Sequence, residues 1–415
     1  MMQRYAVIVD PLSTGQEYGP AFRAAGVEPV AVLASPEVPE VYTASWHPEN
    51  YPTILRHDGN NLRELADRLS ALRPLCVIAG AETGVELADQ LAPLVTPQVT
   101  NAPRLAAARR DKWAMAQAVM AAGIPHLRQI CSDDPAEVAE WLREQGLEDA
   151  RLVLKPPKSG GTDDVHMVEA GGDWKAVFDQ IIGRVNKTGV RNDAVLVGEF
   201  AQGAEFLIDG YSVDGQHGLV DVCRYTKGSR GDRIGIYDRV DFLPPDHPDV
   251  QAVWPYARQV LDAVGIRNGC SHAEVMLTPD GPRLLEVAAR PAGGGHQMIS
   301  DLATGDNHIK RTVRHWVGGE FTASYQLERY VCGKFISAPN AGIFRNEEVF
   351  DGVEDLPTFW AKNFPFHNGD RVNATEDIFT YLAWVILSST DAEAVEADYR
   401  WVRGRERQIR IDPKR

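Results

Sequence analysis

The fold is decided by SHAEVMLTPDGPRLLEVAAR, residues 271–290, which runs on through Pro291 and Ala292 into Gly293-Gly294-Gly295. Two strand-like apolar runs flank Thr278-Pro279-Asp280-Gly281, the composition of an antiparallel hairpin and its turn. Glu274 lies in the first run and Glu286 in the second, and period-2 alternation allows both carboxylates to face one pocket. Paired hard oxygen ligands suit Mg2+, which takes one or two carboxylates and completes its shell with nucleotide phosphates and water. The hairpin therefore predicts a metal–nucleotide site. By itself it also reads as an exposed turn with two solvated acids.

Upstream, Lys155 closes the apolar run LVLK and is followed by Pro156-Pro157-Lys158-Ser159-Gly160-Gly161-Thr162-Asp163-Asp164. A lysine at a strand end meets phosphate with its ammonium, while glycines let backbone N–H groups approach the anion. The pattern GxxxxGK[ST] is absent, so this is not a Walker A loop, and alone it reads equally as a turn. Lys112, on a helix predicted over roughly residues 103 to 122, offers a second phosphate contact beside its plain reading as a solvated lysine. Between residues 195 and 205 the chain leaves a strand and turns back. Backbone groups of Glu199, Phe200 and Ala201 could there meet an adenine ring, with Glu205 accepting from ribose hydroxyls, or the segment merely joins two strands.

At 415 residues, 44% hydrophobic and 24% charged, the chain is expected to be globular, with two or three domains. Forty-three basic against 58 acidic residues give a net charge of −15, which disfavours a nucleic-acid partner. Five scattered cysteines without a CxxC pair point away from a disulfide framework or zinc site and toward a reducing compartment. No apolar run approaches the ~18 to 20 residues of a spanning helix, and no signal peptide is visible, so a cytoplasmic protein without a membrane partner is expected.

Short apolar runs alternating with helical patterns make residues 1–100 an open α/β domain. Residues 101–200 read as a linking helix and a small α+β module, and residues 201–310 as an antiparallel sheet with one covering helix. Residues 311–415 read as a C-terminal α+β lobe. The fold class is thus α/β with α+β.

In this order the pieces resemble one family. Lys112 on a helix ending in GIP, Lys155 before its glycine loop, the Glu199 hinge, Glu205, and then Glu274 and Glu286 with Arg290 are similar to the ATP-grasp superfamily over roughly residues 1 to 310. VDPLSTG near the start, RRDK at 109–112, and the hairpin with its following glycines resemble most the L-amino acid ligases that make dipeptides. Many members place Asn two residues after the second metal Glu. Here that position is Ala288, which agrees with the dipeptide-ligase branch rather than with biotin-carboxylase-like or purine-pathway members.

The resemblance implies an ATP-grasp fold with an N-terminal pre-ATP-grasp domain, and ATP with Mg2+ as cofactors, Mn2+ substituting. It implies that a substrate carboxylate attacks the γ-phosphate to give an acyl phosphate, from which an amine displaces phosphate. Arg290 would hold a carboxylate or oxyanion, Gly293 and Gly294 would donate N–H groups to it, and Lys227, ending CRYTK, would contact the γ-phosphate or acyl phosphate. Substrate contacts are sought at Glu82, which reads first as an exposed loop acid, and at His296, which also reads as a packing or capping residue. Tyr237, Arg239 and Asp241 are expected on a loop lining the acceptor pocket. The partners are small amino acids, or other acids and amines, and a homodimer is expected from the frequency of two-fold oligomers. The other readings are a ligase acting on a non-amino-acid carboxylate, and a nucleotide-binding protein without catalysis.

Overall fold

Val7, Val9, Val30 and Val32 are buried on one face of the first sheet and Ala6, Ile8 and Ala31 on the other, as a parallel sheet covered on both faces requires. The structure, a computed structural model, describes residues 3–230, 233–376 and 380–413. Its first unit contains β1 (Tyr5–Val9), α1 (Tyr18–Ala24), β2 (Glu28–Leu33), β3 (Thr53–Arg56), α2 (Leu62–Leu72), β4 (Val77–Ala79) and α3 (Val85–Val95). The strands pair in parallel in the order β3-β2-β1-β4. The loops leaving the carboxyl ends of β1 and β4 point to the site, the position where such sheets bind ligands.

The helix expected over residues 103 to 122 is shorter. Single 3-10 turns occupy Pro103–Leu105 and Ala107–Arg109, and α4 runs over Lys112–Ala121. The break occurs because extended Asp111 caps α4, accepting from the N–H groups of Trp113 and Ala114, while the preceding arginines are drawn elsewhere. Arg109 is fully buried, donates to Asp89 at 2.8 Å and caps the end of α7 (Pro248–Ala263) through the Val264 carbonyl at 2.9 Å, tying the first unit to the large one.

The small module holds β5 (Gln129–Ser132), α5 (Pro135–Glu144), β6 (Leu152–Lys155), β7 (His166–Val168), α6 (Trp174–Ile181) and β8 (Val195–Glu199), with an antiparallel sheet ordered β5-β8-β6-β7.

The large sheet is built by β9 (Ala204–Val213), β10 (Gln216–Arg230), β11 (Arg233–Phe242), β12 (Gly269–Thr278) and β13 (Gly281–Ala288). Alternation sends Phe206, Ile208, Val222, Ala273 and Val275 into a core with α7 and α4. Glu205, Asp209, His272 and Glu274 consequently lie on the opposite face. That face is covered by α8 (His296–Thr304), and α9 (His308–Gly318) follows it and packs on α1.

The C-terminal segment contributes β14 (Tyr330–Ile336), β15 (Gly342–Phe344), β16 (Phe359–Asn363), β17 (Arg371–Val372), β18 (Ala383–Ser389), α10 (Ala392–Glu406) and β19 (Ile411–Pro413). It keeps a core of its own, yet β14, β18 and β16 extend the large sheet to eight strands, in the order β13-β12-β9-β10-β11-β14-β18-β16. Residues 379–387, FTYLAWVIL, read as a strand of this lobe, and Phe379 lies outside the described residues.

Candidate active site

Glu274 and Glu286 are direct register partners across the β12–β13 hairpin. One residue further along, the register shifts from Glu274↔Glu286 to Val275↔Leu284, so Leu285 is the extra residue of a β-bulge. Its carbonyl accepts from Nζ of Lys155 at 3.3 Å, which holds the lysine beside the two carboxylates. Burial, followed by repulsion from Lys112, brings the Lys155 ammonium down to about 8 against the attraction of Glu286 and Glu274.

Lys112 is buried, not a solvated lysine on an exposed helix face. As the first residue of α4 it donates its backbone N–H to Pro157 O at 2.9 Å, and its Nζ lies 2.8 Å from both Ser159 O and Glu286 Oε2. A cation at a helix N-terminus opposes the helix dipole, so its place is explained by these anionic partners. Burial works to raise the Glu286 carboxyl, but Lys112 and Lys155 hold it at about 2. Glu274 moves the other way, raised by burial and by the charge of Glu286. The two acids therefore titrate as one unit, with the negative charge held on Glu286 by the lysines and the proton retained longer on the Glu274 side.

The loop bearing Ser159, Gly160, Gly161 and Thr162 lies over this cluster, with Ser159 buried and both Gly161 and Thr162 at positive φ. The hinge comes close to the other end of the hairpin, because a Cβ on Gly203 would stand 2.1 Å from the Leu277 carbonyl oxygen. The Glu199 carboxylate is taken by Arg128, which donates Nε at 2.8 Å, and the Phe200 N–H donates to Arg151 O at 3.0 Å. Glu205 is buried and paired with Lys227, Nζ to Oε1 2.5 Å. Lys227 lies inside β10 rather than at a strand end, 4.3 Å from the ring centre of Tyr237.

Glu82 corrects its first reading. It is 9% exposed, and Arg290 Nε donates to its Oε2 at 2.8 Å while Arg110 lies 3.4 Å from Oε1. Burial works to raise this carboxyl, yet the two guanidinium groups hold it below the ordinary range. Gly293 follows close by, since a Cβ there would stand 3.6 Å from Ser13 Oγ, and Gly294 and Gly295 take φ of +65° and +76°. Loops from β1 and β4 thus meet the exit of the β12–β13 hairpin.

Three other expectations are corrected. Tyr237, Arg239 and Asp241 lie on strand β11, not on a pocket loop. Arg239 is consumed by Asp241 and by Glu396 at 2.7 Å, with its guanidinium 3.9 Å over the Tyr399 ring, so this pair braces α10. Of the three, Tyr237 alone contacts a site residue, Lys227. His296 is 6% exposed, and its Nε2 is taken by a buried partner, Asp221 Oδ1, at 3.1 Å. The reading missed Arg110, Asp111 and Tyr42, whose hydroxyl feels Arg290 and Glu82. RRDK contained the first two, but nothing local marked their partners.

The donor set fits the expected cofactors. Two opposed, half-buried carboxylates, one pushed up by desolvation and by its neighbour's charge, are hard ligands whose repulsion a divalent cation would relieve. Lys112 and Lys155 converge on the same point from a helix and a strand, which suits a polyphosphate.

Comparison with known proteins agrees with this geometry. Residues 148–299 match the model of an ATP-grasp domain. The chain is 29% identical over 421 residues to dapdiamide A synthase of Enterobacter agglomerans, covering 95% of this chain and 96% of that one. Its fold matches a solved L-amino acid ligase from Bacillus licheniformis with a TM-score of 0.72, at 17% identity over 100% of both chains. The biotin carboxylase domain of the Hydrogenobacter thermophilus 2-oxoglutarate carboxylase, solved with MgADP, matches at TM-score 0.63 and 12% identity, covering 99% of this chain and 91% of that one. The family and its nucleotide-bound fold neighbours support ATP and Mg2+ as cofactors. Residues 148–299 are thus matched as an ATP-grasp domain, in a chain that is similar over nearly its whole length to dapdiamide A synthase and shares the fold of an L-amino acid ligase.

Proposed function

We propose that this ATP-grasp ligase joins two L-amino acids or close analogues through an acyl phosphate, releasing ADP and phosphate. The observation that carries the proposal is the Arg290–Glu82 pair beside the Lys112–Glu286 cluster. An α-amino acid carries one charge of each sign on two groups that share one carbon, and this pair offers a guanidinium and a carboxylate within one side chain's reach.

In the first step a carboxylate oxygen bonds to the γ-phosphorus while the bond to the β-phosphate oxygen breaks. Lys112 and Lys155 offset the negative charge that otherwise keeps the two anions apart. Mg2+ held by Glu274 and Glu286 would add charge neutralisation of the phosphates. In the second step the amine attacks the acyl carbon, the C–O bond to phosphate breaks, and the amine proton passes to phosphate or water. Arg290 and the N–H groups of the Gly293–Gly295 turn stabilise the tetrahedral oxyanion. Glu82 holds the ammonium of the activated amino acid.

The reading includes Mn2+ as a substitute metal and a two-fold dimer, the commonest symmetry among soluble enzymes. It also includes a cytoplasmic setting. The support for that is five unpaired cysteines, and no helix among the described residues long and apolar enough to cross a membrane.

The test is a matrix of amino-acid pairs with ATP and Mg2+, read by phosphate, ADP and product mass. A pair-dependent product with the summed mass less water, and one phosphate per product, is expected. Phosphate release that no pair of acid and amine stimulates would overturn the proposal.

A further inference from the structure

Beneath the phosphate face, β9, β10, β12, α8 and α9 enclose Asp209, Asp221, His272, His296 and His308, none more than 7% exposed. The contacts form a chain. His272 Nδ1 lies 2.7 Å from Asp209 Oδ1, and Asp209 Oδ2 faces His308 at 3.3 Å and His296 at 3.5 Å. Nε2 of His296 bonds to Asp221 Oδ1 at 3.1 Å, and Ser300 Oγ donates to Asp221 Oδ2 at 2.5 Å. The His296 ring stacks on Phe242, with centroids 5.4 Å apart.

One end of this chain is His272, two residues before Glu274 on the same face of β12. The other end is α8, whose first residue is His296. Three consecutive glycines precede it, two of them at positive φ, and a glycine turn has no side chain with which to hold its own conformation. His296 is the first side chain after the turn, and its backbone N–H donates to Gly293 O at 3.2 Å. Two buried carboxylates also require a cation between them, and they raise the His296 imidazole to about 9 despite its burial.

We propose that His296, clamped between Asp221 and Asp209, is a positioning residue that fixes the Gly293–Gly295 turn relative to the Glu274–Glu286 pair. Its catalytic consequence rests on the ligase reading above, in which that turn receives the oxyanion. The competing use of the cluster is a metal site, because ligand atoms of Asp221, Cys223 and His296 lie within 4.8 Å of one another. Asp209 Oδ2, which accepts no hydrogen bond, is faced in the clamp by the rings of both His308 at 3.3 Å and His296 at 3.5 Å.

The experiment uses the full chain and three variants: His296→Phe, which keeps the stack on Phe242; His296→Gln, which keeps an N–H donor; and Ser300→Ala, which removes the bond to Asp221 and a longer contact with the Asp306 carbonyl. Backbone amide exchange is followed in peptides covering residues 291–299, with metal content, ATP affinity and steady-state kinetics measured alongside. Exchange at the turn is expected to rise about tenfold in His296→Phe, the scale of one lost buried hydrogen bond. A smaller rise is expected in Ser300→Ala, and His296→Gln should lie nearer to wild type. ATP affinity and exchange in the β12–β13 hairpin should not change, and kcat should fall with little change in KM. Unchanged exchange at the turn in all three variants, or one equivalent of bound transition metal per chain, would overturn the clamp. Exchange is read without turnover, so an inactive wild-type protein counts against the ligase reading while the clamp is still decided.

Discussion

Nε of Arg290 donates to Oε2 of Glu82 at 2.8 Å, joining residues 208 positions apart at the junction of the first unit and the β12–β13 hairpin. Neither residue contacts Lys112 or Lys155 by any bond described above, so phosphate binding and recognition of the amino acid are separable. Glu82→Gln keeps the shape and removes the charge. The KM for the activated amino acid is expected to rise by about tenfold or more, ~1.4 kcal/mol, with ATP affinity unchanged. Kinetics on each substrate with an ATP titration checks this; a weaker ATP complex with an unaltered amino-acid KM would contradict it.

The partly buried ammonium of Lys155, brought down to about 8, gives ATP binding a pH dependence with a definite sign. A phosphate favours the charged form, so below about pH 8 the site is ready, and above it the free protein has to take up a proton on binding. Affinity should fall as pH rises from about 7 to about 9.5, by up to tenfold per unit once the free lysine has lost its proton. Lys155→Met should bind ATP more weakly at neutral pH and lose that slope. Calorimetry across the range decides, and a slope that survives the substitution would assign it to another group.

At Glu274 the sign is reversed. Burial and Glu286 raise its pKa, so a proton competes with the metal at pH values where an ordinary carboxylate is already charged. Mg2+ affinity should fall as pH drops through that raised pKa, and binding there should release protons, measurable as a dependence of the binding heat on buffer ionisation enthalpy. Glu286→Gln should abolish turnover while the thermal transition stays cooperative.

What the sequence revealed and what it hid divide along physical lines. The hairpin was legible because alternation and a Pro-Asp-Gly turn are local, and they let Glu274 and Glu286 face one pocket, but the bulge at Leu285 that makes them direct partners carries no local signal. Strand β11 was also local, with Ile236, Val240 and Phe242 alternating, but the charged residues between them suggested a loop. They face Lys334, Glu396 and Tyr399, partners supplied from β14 and α10. Glu82 looked like a loop acid because its two arginines are remote in sequence. The single helix expected over 103 to 122 failed for a related reason, since Arg109 and Arg110 turn toward Asp89 and Glu82, leaving Asp111 to start α4 afresh.

That fresh start gives a last test. Oδ1 of Asp111 accepts from Trp113 N at 2.9 Å and Ala114 N at 3.1 Å, so the cap fixes the first turn of α4 and with it the backbone of Lys112. Asp111→Ala should cost about 1 kcal/mol of stability, the usual value of a lost N-cap, whereas Asp111→Asn, an equally good cap, should cost little. If the cap also sets where Nζ of Lys112 points, the alanine variant should bind ATP several-fold more weakly and the asparagine variant like wild type. Denaturant unfolding and ATP titration of both variants separate the two effects. Loss of stability without loss of affinity would mean that Pro157 O, Ser159 O and Glu286 are enough to hold the lysine once the helix has formed.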